Sequence, residues 1–410
     1  MSMNETPASE RIHIGIFGRR NAGKSSIING ITGQDLAIVS EIKGTTTDPV
    51  SKAMELLPLG PVVVIDTPGL DDMGELGEKR IAKTYQILNK TDIAILTADG
   101  MQFPAREDWN RLERPLIDAF LERKIPYVIA VNKCEAISDE RAEQIVSFLE
   151  QEGKSLFVSA KTGKNIHALK ECMAELMPSF KSEKRLVGDL LKPSDIVVLV
   201  TPIDSAAPKG RLILPQQQVI RDCLEAGAAA VVTRETELLE TLKALRVKPK
   251  VVITDSQAFR QVQKDTPSDV YLTSFSILFS RYKGNLKQQA QGAKTLHRLK
   301  DGDVILISEG CTHHRQCEDI GTVKLPRWIR EFTGKDIQFR FTSGTQFPED
   351  LSEYALVVHC GGCTLNEKEM QHRLRCAQDA GVPMTNYGTA IAEINGILDR
   401  GLAIFKDPLE

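Results

Sequence analysis

An apolar run, Ile12-His13-Ile14-Gly15-Ile16-Phe17, passes without a break into Gly18-Arg19-Arg20-Asn21-Ala22-Gly23-Lys24-Ser25 and then into a helix-forming stretch from Ser26 to Asn29. The order strand, glycine loop, helix restricts the fold to an α/β domain in which the loop closes over an anion. The glycines permit a turn whose N–H groups face phosphate oxygens, and the helix N-terminus adds a favourable dipole. Lys24 is placed to neutralise the β- and γ-phosphates of a nucleotide, and Ser25 to ligate magnesium. Gly18, Gly23, Lys24, Ser25 and Ser26 are therefore expected nucleotide contacts.

Four further stretches sort the nucleotide. Asp66-Thr67-Pro68-Gly69 follows the strand-like Val62-Val63-Val64-Ile65, so Asp66 can stand behind magnesium while the Gly69 N–H meets the γ-phosphate. Lys24, Asp66 and Gly69 form the expected catalytic set. Gly44-Thr45-Thr46-Thr47-Asp48 supplies switch-type threonines, of which Thr46 best matches a magnesium-contacting position. Asn132-Lys133-Cys134-Glu135 and Ser159-Ala160-Lys161, each after an apolar run, resemble the two base-reading loops of the small-GTPase superfamily, which implies GTP as the ligand. The carboxylate that grips guanine in that pattern is usually Asp and here is Glu135, which can accept the same two hydrogens only by bending. Asn21 matches the residue that helps coordinate potassium in cation-dependent GTPases of the tRNA-modification and ribosome-assembly branch. Leu70 stands where Ras-like proteins carry the water-orienting glutamine, so slow, potassium-stimulated hydrolysis is the expectation.

With 410 residues the chain has room for two or three domains. A net charge of −3, 41% hydrophobic and 26% charged residues describe a globular protein with no polyanion-coating character, so neither nucleic acid nor membrane is an expected partner. The start lacks a secretory pattern, and eight cysteines without one argue for thiols and metal ligands in a reducing, cytoplasmic setting. Cys134, Cys172, Cys223 and Cys376 have no ligand-like neighbours in sequence and read as ordinary thiols.

The expected boundaries are residues 1–182 for the nucleotide domain, 183–270 for a connector and 271–410 for a metal domain. In the connector, Ile196 to Val200, Ala229 to Thr233 and Val251 to Thr254 alternate with helix-like stretches, which implies a small parallel sheet whose uncovered edge suits self-association. The third segment opens with a long helix-compatible stretch, Ser274 to Leu299, whose Arg281, Lys283 and Lys287 read as a solvated face. Two strand-like runs follow, each ending in potential metal ligands: Val304 to Ser308 before Cys311-Thr312-His313, and Tyr354 to Val358 before His359-Cys360-Gly361-Gly362-Cys363. Alone, Cys-x-x-Cys is equally a redox pair, half a zinc site or two core thiols. Two strand ends that converge bring three sulfurs and two imidazoles together, with the thiols the firmer ligands, since either imidazole is equally read as a hydrogen-bond donor behind a ligand or a satisfied core histidine. Cys317 is a spare ligand or a spectator.

Taken together, these motifs make the whole chain resemble the FeFe-hydrogenase maturation GTPases of the HydF type: a phosphate-loop domain, a dimerisation domain, and a metal domain with Cys-x-His and His-Cys-x-x-Cys, here separated by 45 residues, 314–358. The resemblance implies an α/β chain of three parts that dimerises or forms a higher oligomer and binds a 4Fe–4S cluster on Cys311, Cys360 and Cys363, with His313 and His359 as further metal-site residues. It implies a two-iron subcluster precursor received from radical-SAM partner enzymes and passed to apo FeFe-hydrogenase. Three cysteines leave one iron to His313, His359, Cys317, a carboxylate or water. The competing reading is a potassium-dependent RNA-linked GTPase with a structural zinc tail, for which the net charge shows no basic surface.

Overall fold

A computed structural model of the chain describes residues 6–33, 50–70, 83–177, 184–203, 212–311, 319–344 and 346–405. They form two compact units, Met1–Lys181 and Ser182–Glu410.

The first unit is built on a six-stranded sheet. In chain order its elements are β1 (Ile12–Gly18), α1 (Lys24–Thr32), β2 (Val50–Leu56), β3 (Gly60–Asp66), β4 (Ile93–Asp99), α2 (Arg106–Glu122), β5 (Tyr127–Asn132), α3 (Asp139–Leu149), β6 (Ser155–Phe157) and α4 (Ile166–Leu176). The strand order is β2-β3-β1-β4-β5-β6, with only β2 antiparallel to its neighbour. Ile14 and Ile16 of β1 pack into one apolar layer and Phe17 into the other, which is why the strand reads as a continuous apolar run. The register Ile16↔Asp66 between β1 and β3 sets Asp66 beside the mouth of the glycine loop. Helix α1 stops at Gly33, whose φ of 66° suits a residue without Cβ and whose N–H bonds Asn29 O at 2.9 Å.

The second unit carries two four-stranded parallel sheets. The first consists of β7 (Ile196–Val200), α5 (Leu214–Glu225), β8 (Ala229–Thr233), α6 (Leu238–Ala244), β9 (Val251–Thr254), α7 (Phe259–Asp265) and β10 (Tyr271–Ser274), in strand order β10-β9-β7-β8. An expected boundary after residue 270 cuts this sheet: β10 pairs with β9 over its whole length and contributes the buried Leu272. The stretch Ser274 to Leu299 is not one helix. It divides into α8 (Phe275–Lys283) and α9 (Leu286–Ala293), because Gly284 closes the first by donating to Ser280 O and the Asn285 side chain caps the second by accepting from Gln288 N.

The last sheet comprises β11 (Val304–Glu309), α10 (Leu325–Thr333), β12 (Gln338–Ser343), β13 (Leu356–His359), α11 (Glu367–Asp379) and β14 (Met384–Asn386), in strand order β12-β11-β13-β14, followed by α12 (Tyr387–Ile394) and α13 (Leu398–Leu402). The two central strands, β11 and β13, lie side by side with Ser308 opposite His359, so their carboxyl ends open at one crevice. The two sheets are not independent. Leu398, Leu402, Ile404 and Phe405 join the apolar cluster that also holds Val198, Ile253 and Leu272 of the other sheet.

Candidate functional site

In the first unit the glycine loop is shaped by positions where a side chain has no room. At Gly18, with φ 141°, an added Cβ would meet Thr97 O at 2.3 Å; at Gly23, with φ 91°, it would lie 2.2 Å from Asn132 Nδ2. Lys24 Nζ lies inside the loop and donates to Gly18 O at 3.0 Å and Arg19 O at 2.9 Å. The Arg19 side chain is held by a two-pronged bond to Glu113, 2.6 and 2.9 Å, whose side chain is buried in α2. No motif pointed to Glu113.

Ser25 Oγ donates to Asp66 Oδ2 at 2.9 Å, and Asp66 Oδ1 is buried without a hydrogen-bond partner among the described residues. Burial raises the Asp66 carboxyl above its usual range, against the opposing pull of the Ser25 hydroxyl and the Lys24 charge. The Ser25 hydroxyl and the Asp66 carboxylate, with its Oδ1 unmatched, form a hard-oxygen donor set, which fits magnesium. Thr67 is pinned by its hydroxyl to Ile16 O at 2.7 Å, which fixes the start of the Pro68-Gly69 turn. Leu70 is buried in the apolar cluster around Phe17, so the side chain at the glutamine position faces the core. Ser26 is exposed in the first turn of α1. Thr46 lies outside the described residues.

The base-reading loops converge on the phosphate loop. Asn132 Nδ2 donates to Ala22 O at 3.2 Å and Asn132 Oδ1 accepts from Ala160 N at 3.1 Å, so one buried amide ties three loops together. Lys133 Nζ donates to Asn21 O at 3.0 Å and to Asp99 Oδ2 at 2.6 Å. Ser159 lies beside Glu135, and its hydrogen bond is the main reason that carboxyl sits below the usual range; the charges of Lys161 and Lys133 add to it. Glu135 is thus held in its ionised, acceptor form.

In the second unit, the ends of β11 and β13 carry Cys311, Cys360 and Cys363. Cys360 Sγ accepts from the Gly310 N–H at 3.1 Å and the Gly362 N–H at 3.4 Å. Burial pushes its thiol up to about 12, and the neighbouring Cys363 and Cys311 sulfurs add to the rise. Burial also raises the Cys363 thiol, with the Lys283 ammonium pulling the other way. Two N–H groups aimed at one sulfur form a cradle for a thiolate in an anionic metal centre, which fits an iron–sulfur cluster. Among the described residues no three His, Cys, Asp or Glu side chains are grouped closely enough to hold a metal ion as they stand. His313 and Cys317 lie outside the described residues.

His359 does not join the thiols. Its ring is fully buried with both nitrogens engaged: Nδ1 with Cys360 O at 2.7 Å and Nε2 with Arg373 Nη1 at 3.0 Å. Burial and the Arg373 charge push the imidazole down to about 3, so it is neutral. With both nitrogens hydrogen-bonded, neither presents a lone pair to metal in this arrangement. Lys283 corrects an expectation, since it is buried instead of solvated, and donates to Leu365 O at 3.0 Å two residues beyond Cys363.

Comparison with known proteins gives these two regions a family. Residues 186–284 match the model of the hydrogen maturase F dimerization domain, and residues 287–404 that of the hydrogen maturase F tetramerization domain, together more than half of the chain. The chain belongs to the HydF-type hydrogenase maturase GTPases. Residues 13–133 match the model of a 50S ribosome-binding GTPase, so this HydF-type chain joins a GTPase domain to two domains of self-association. The junction between the two HydF models falls at the break between α8 and α9. Curated relatives include tRNA modification GTPase MnmE of Nitrosomonas eutropha, 31% identical over 163 residues, which are 39% of this chain and 34% of that protein. The same enzyme of Chromobacterium violaceum is 35% identical over 41% of this chain and 35% of its own length. The chain thus spans about a third of the relatives it matches. A solved structure of a probable GTP-binding protein engB is 25% identical, covers 40% of this chain and 98% of its own, and has a TM-score of 0.34. No helix among the described residues is long and apolar enough to cross a membrane.

Proposed function

We propose that this chain is a GTP-hydrolysing scaffold that holds a 4Fe–4S cluster through Cys311, Cys360 and Cys363, accepts a two-iron precursor from radical-SAM maturases, and delivers it to apo FeFe-hydrogenase. The observation that carries the reading is the Cys360 sulfur, cradled by the Gly310 and Gly362 N–H groups at the meeting of β11 and β13. Membership of the maturase family supplies the substrate class.

On the nucleotide side, Lys24 and the loop N–H groups bind the phosphates, Ser25 and Asp66 hold magnesium, and the Gly69 N–H contacts the γ-phosphate. With Leu70 turned into the core, charge stabilisation falls to a cation near Asn21 or to a partner. On the cluster side, Cys311, Cys360 and Cys363 would hold the cluster, which would supply iron able to take a ligand from the cargo.

Metal analysis of protein purified without oxygen tests the reading. About four irons with matching sulfide per chain is the expected result. One zinc per chain and no sulfide would overturn it in favour of a structural metal domain.

A further inference from the structure

A buried chain of hydrogen bonds runs beneath the cysteine turn, and no sequence motif announces it. It begins at Glu369, near the start of α11, whose Oε1 accepts from Arg373 Nε at 3.0 Å. The Arg373 guanidinium, fully buried, donates from Nη2 to Gly344 O at 2.6 Å, just past β12, and from Nη1 to Ser308 Oγ at 3.4 Å in β11. The same Nη1 meets His359 Nε2 at 3.0 Å, and His359 Nδ1 meets Cys360 O at 2.7 Å. One guanidinium therefore touches the ends of three adjacent strands and the helix that leaves the turn.

The direction of every bond is set by chemistry. A guanidinium has donors only, so His359 Nε2 must be the unprotonated acceptor. The Cys360 carbonyl only accepts, so His359 Nδ1 must carry the proton. No other neutral form of the ring satisfies both partners.

We propose that Arg373 is a positioning residue for the metal-binding turn: it holds His359 in the Nδ1–H form, and that N–H fixes the Cys360 carbonyl so that the Cys360 sulfur faces the Gly310 and Gly362 N–H groups. The proposal rests on the cysteine turn binding metal, as the reading above has it. Its consequence is that His359 serves the metal site without touching metal. Partners of this kind behind a ligand carry about ten- to a hundredfold in metal affinity.

Two substitutions separate the roles of the two nitrogens. The amide of Asn overlays Nδ1 of a histidine, whereas that of Gln overlays Nε2. His359→Asn keeps a donor for the Cys360 carbonyl; His359→Gln keeps an acceptor for Arg373 and loses that donor. The probe is Co2+ titrated into the metal-free, full-length protein, read by its thiolate charge-transfer absorption, beside iron and sulfide content after reconstitution and the melting curve of each metal-free variant. His359→Asn is expected to bind Co2+ within about threefold of wild type and His359→Gln about tenfold or more weakly. Arg373→Met should weaken binding as Gln does. Equal binding by the Asn and Gln variants, or weaker binding by Asn, overturns the proposal.

Should the variants fail to fold, nitrogen NMR of histidine-labelled wild type decides: a proton on Nδ1 of His359 supports the relay and one on Nε2 overturns it. Wild type that binds Co2+ through thiolates but takes up no cluster would sink the iron–sulfur reading while leaving the relay to be scored on Co2+. Absence of any thiolate-bound Co2+ overturns the relay itself.

Discussion

At the scale of the residue, the nucleotide site depends on a few groups that each serve two loops. Asn132 is buried, and truncating it strands the Ala22 carbonyl and the Ala160 N–H together. Each unpaired buried group costs about 1–3 kcal/mol, and about 1.4 kcal/mol is tenfold in an equilibrium constant. Asn132→Ala should therefore raise the Kd for GDP by about tenfold or more, measured by calorimetry; an unchanged Kd would show that the base loops do not need this tie. Asn21 has φ 61° and gives its carbonyl to Lys133, which leaves its side chain at the exposed rim of the phosphate loop. If potassium binds there, hydrolysis should be faster in potassium than in sodium chloride at equal ionic strength, and Asn21→Ala should remove the difference. Equal rates for the unsubstituted protein in the two salts would discard the cation while leaving the GTPase domain in place.

At the scale of the element, two parallel strands end side by side and offer their loops to a common crevice. A cluster held this way needs both ends, so Cys311→Ala, Cys360→Ala and Cys363→Ala should each lower iron content to background after anaerobic reconstitution. Their melting temperatures in the metal-free state should stay close to the parent's, because none of the three sulfurs fills the centre of an apolar layer. Added imidazole or cyanide should alter the EPR spectrum of the reduced, cluster-loaded protein, since three cysteines leave one iron exchangeable. A spectrum indifferent to both ligands would mean a fourth protein ligand that does not leave.

At the scale of the whole molecule, each unit has its own core, and domains with separate cores usually melt separately. Calorimetry should resolve two transitions, of which GDP with magnesium raises only the one that belongs to residues 1–181, by the mass-action stabilisation of the state that binds it. The second should be a single transition despite its two sheets, because residues 398–405 pack into the apolar cluster of the first of them. In the same spirit Lys24→Ala should abolish GTP hydrolysis with iron content near normal, and Cys363→Ala the reverse. Loss of iron from Lys24→Ala would place nucleotide binding inside metal assembly. The sequence by itself determined the glycine loop between β1 and α1, the alternation of strands and helices, and which cysteines stand at strand ends. Those are local facts, written in glycine positions, apolar runs and short spacings that act within a few residues. Only the tertiary structure decided that Glu113 holds Arg19, that Lys283 is buried beside the cysteine turn, that β10 completes the second sheet, and that the His359 ring lies buried between the Arg373 guanidinium on Nε2 and the Cys360 carbonyl on Nδ1. A buried charge or imidazole looks the same in sequence as a solvated one, because what decides it is the partner that reaches it from 14, 65 or 94 residues away.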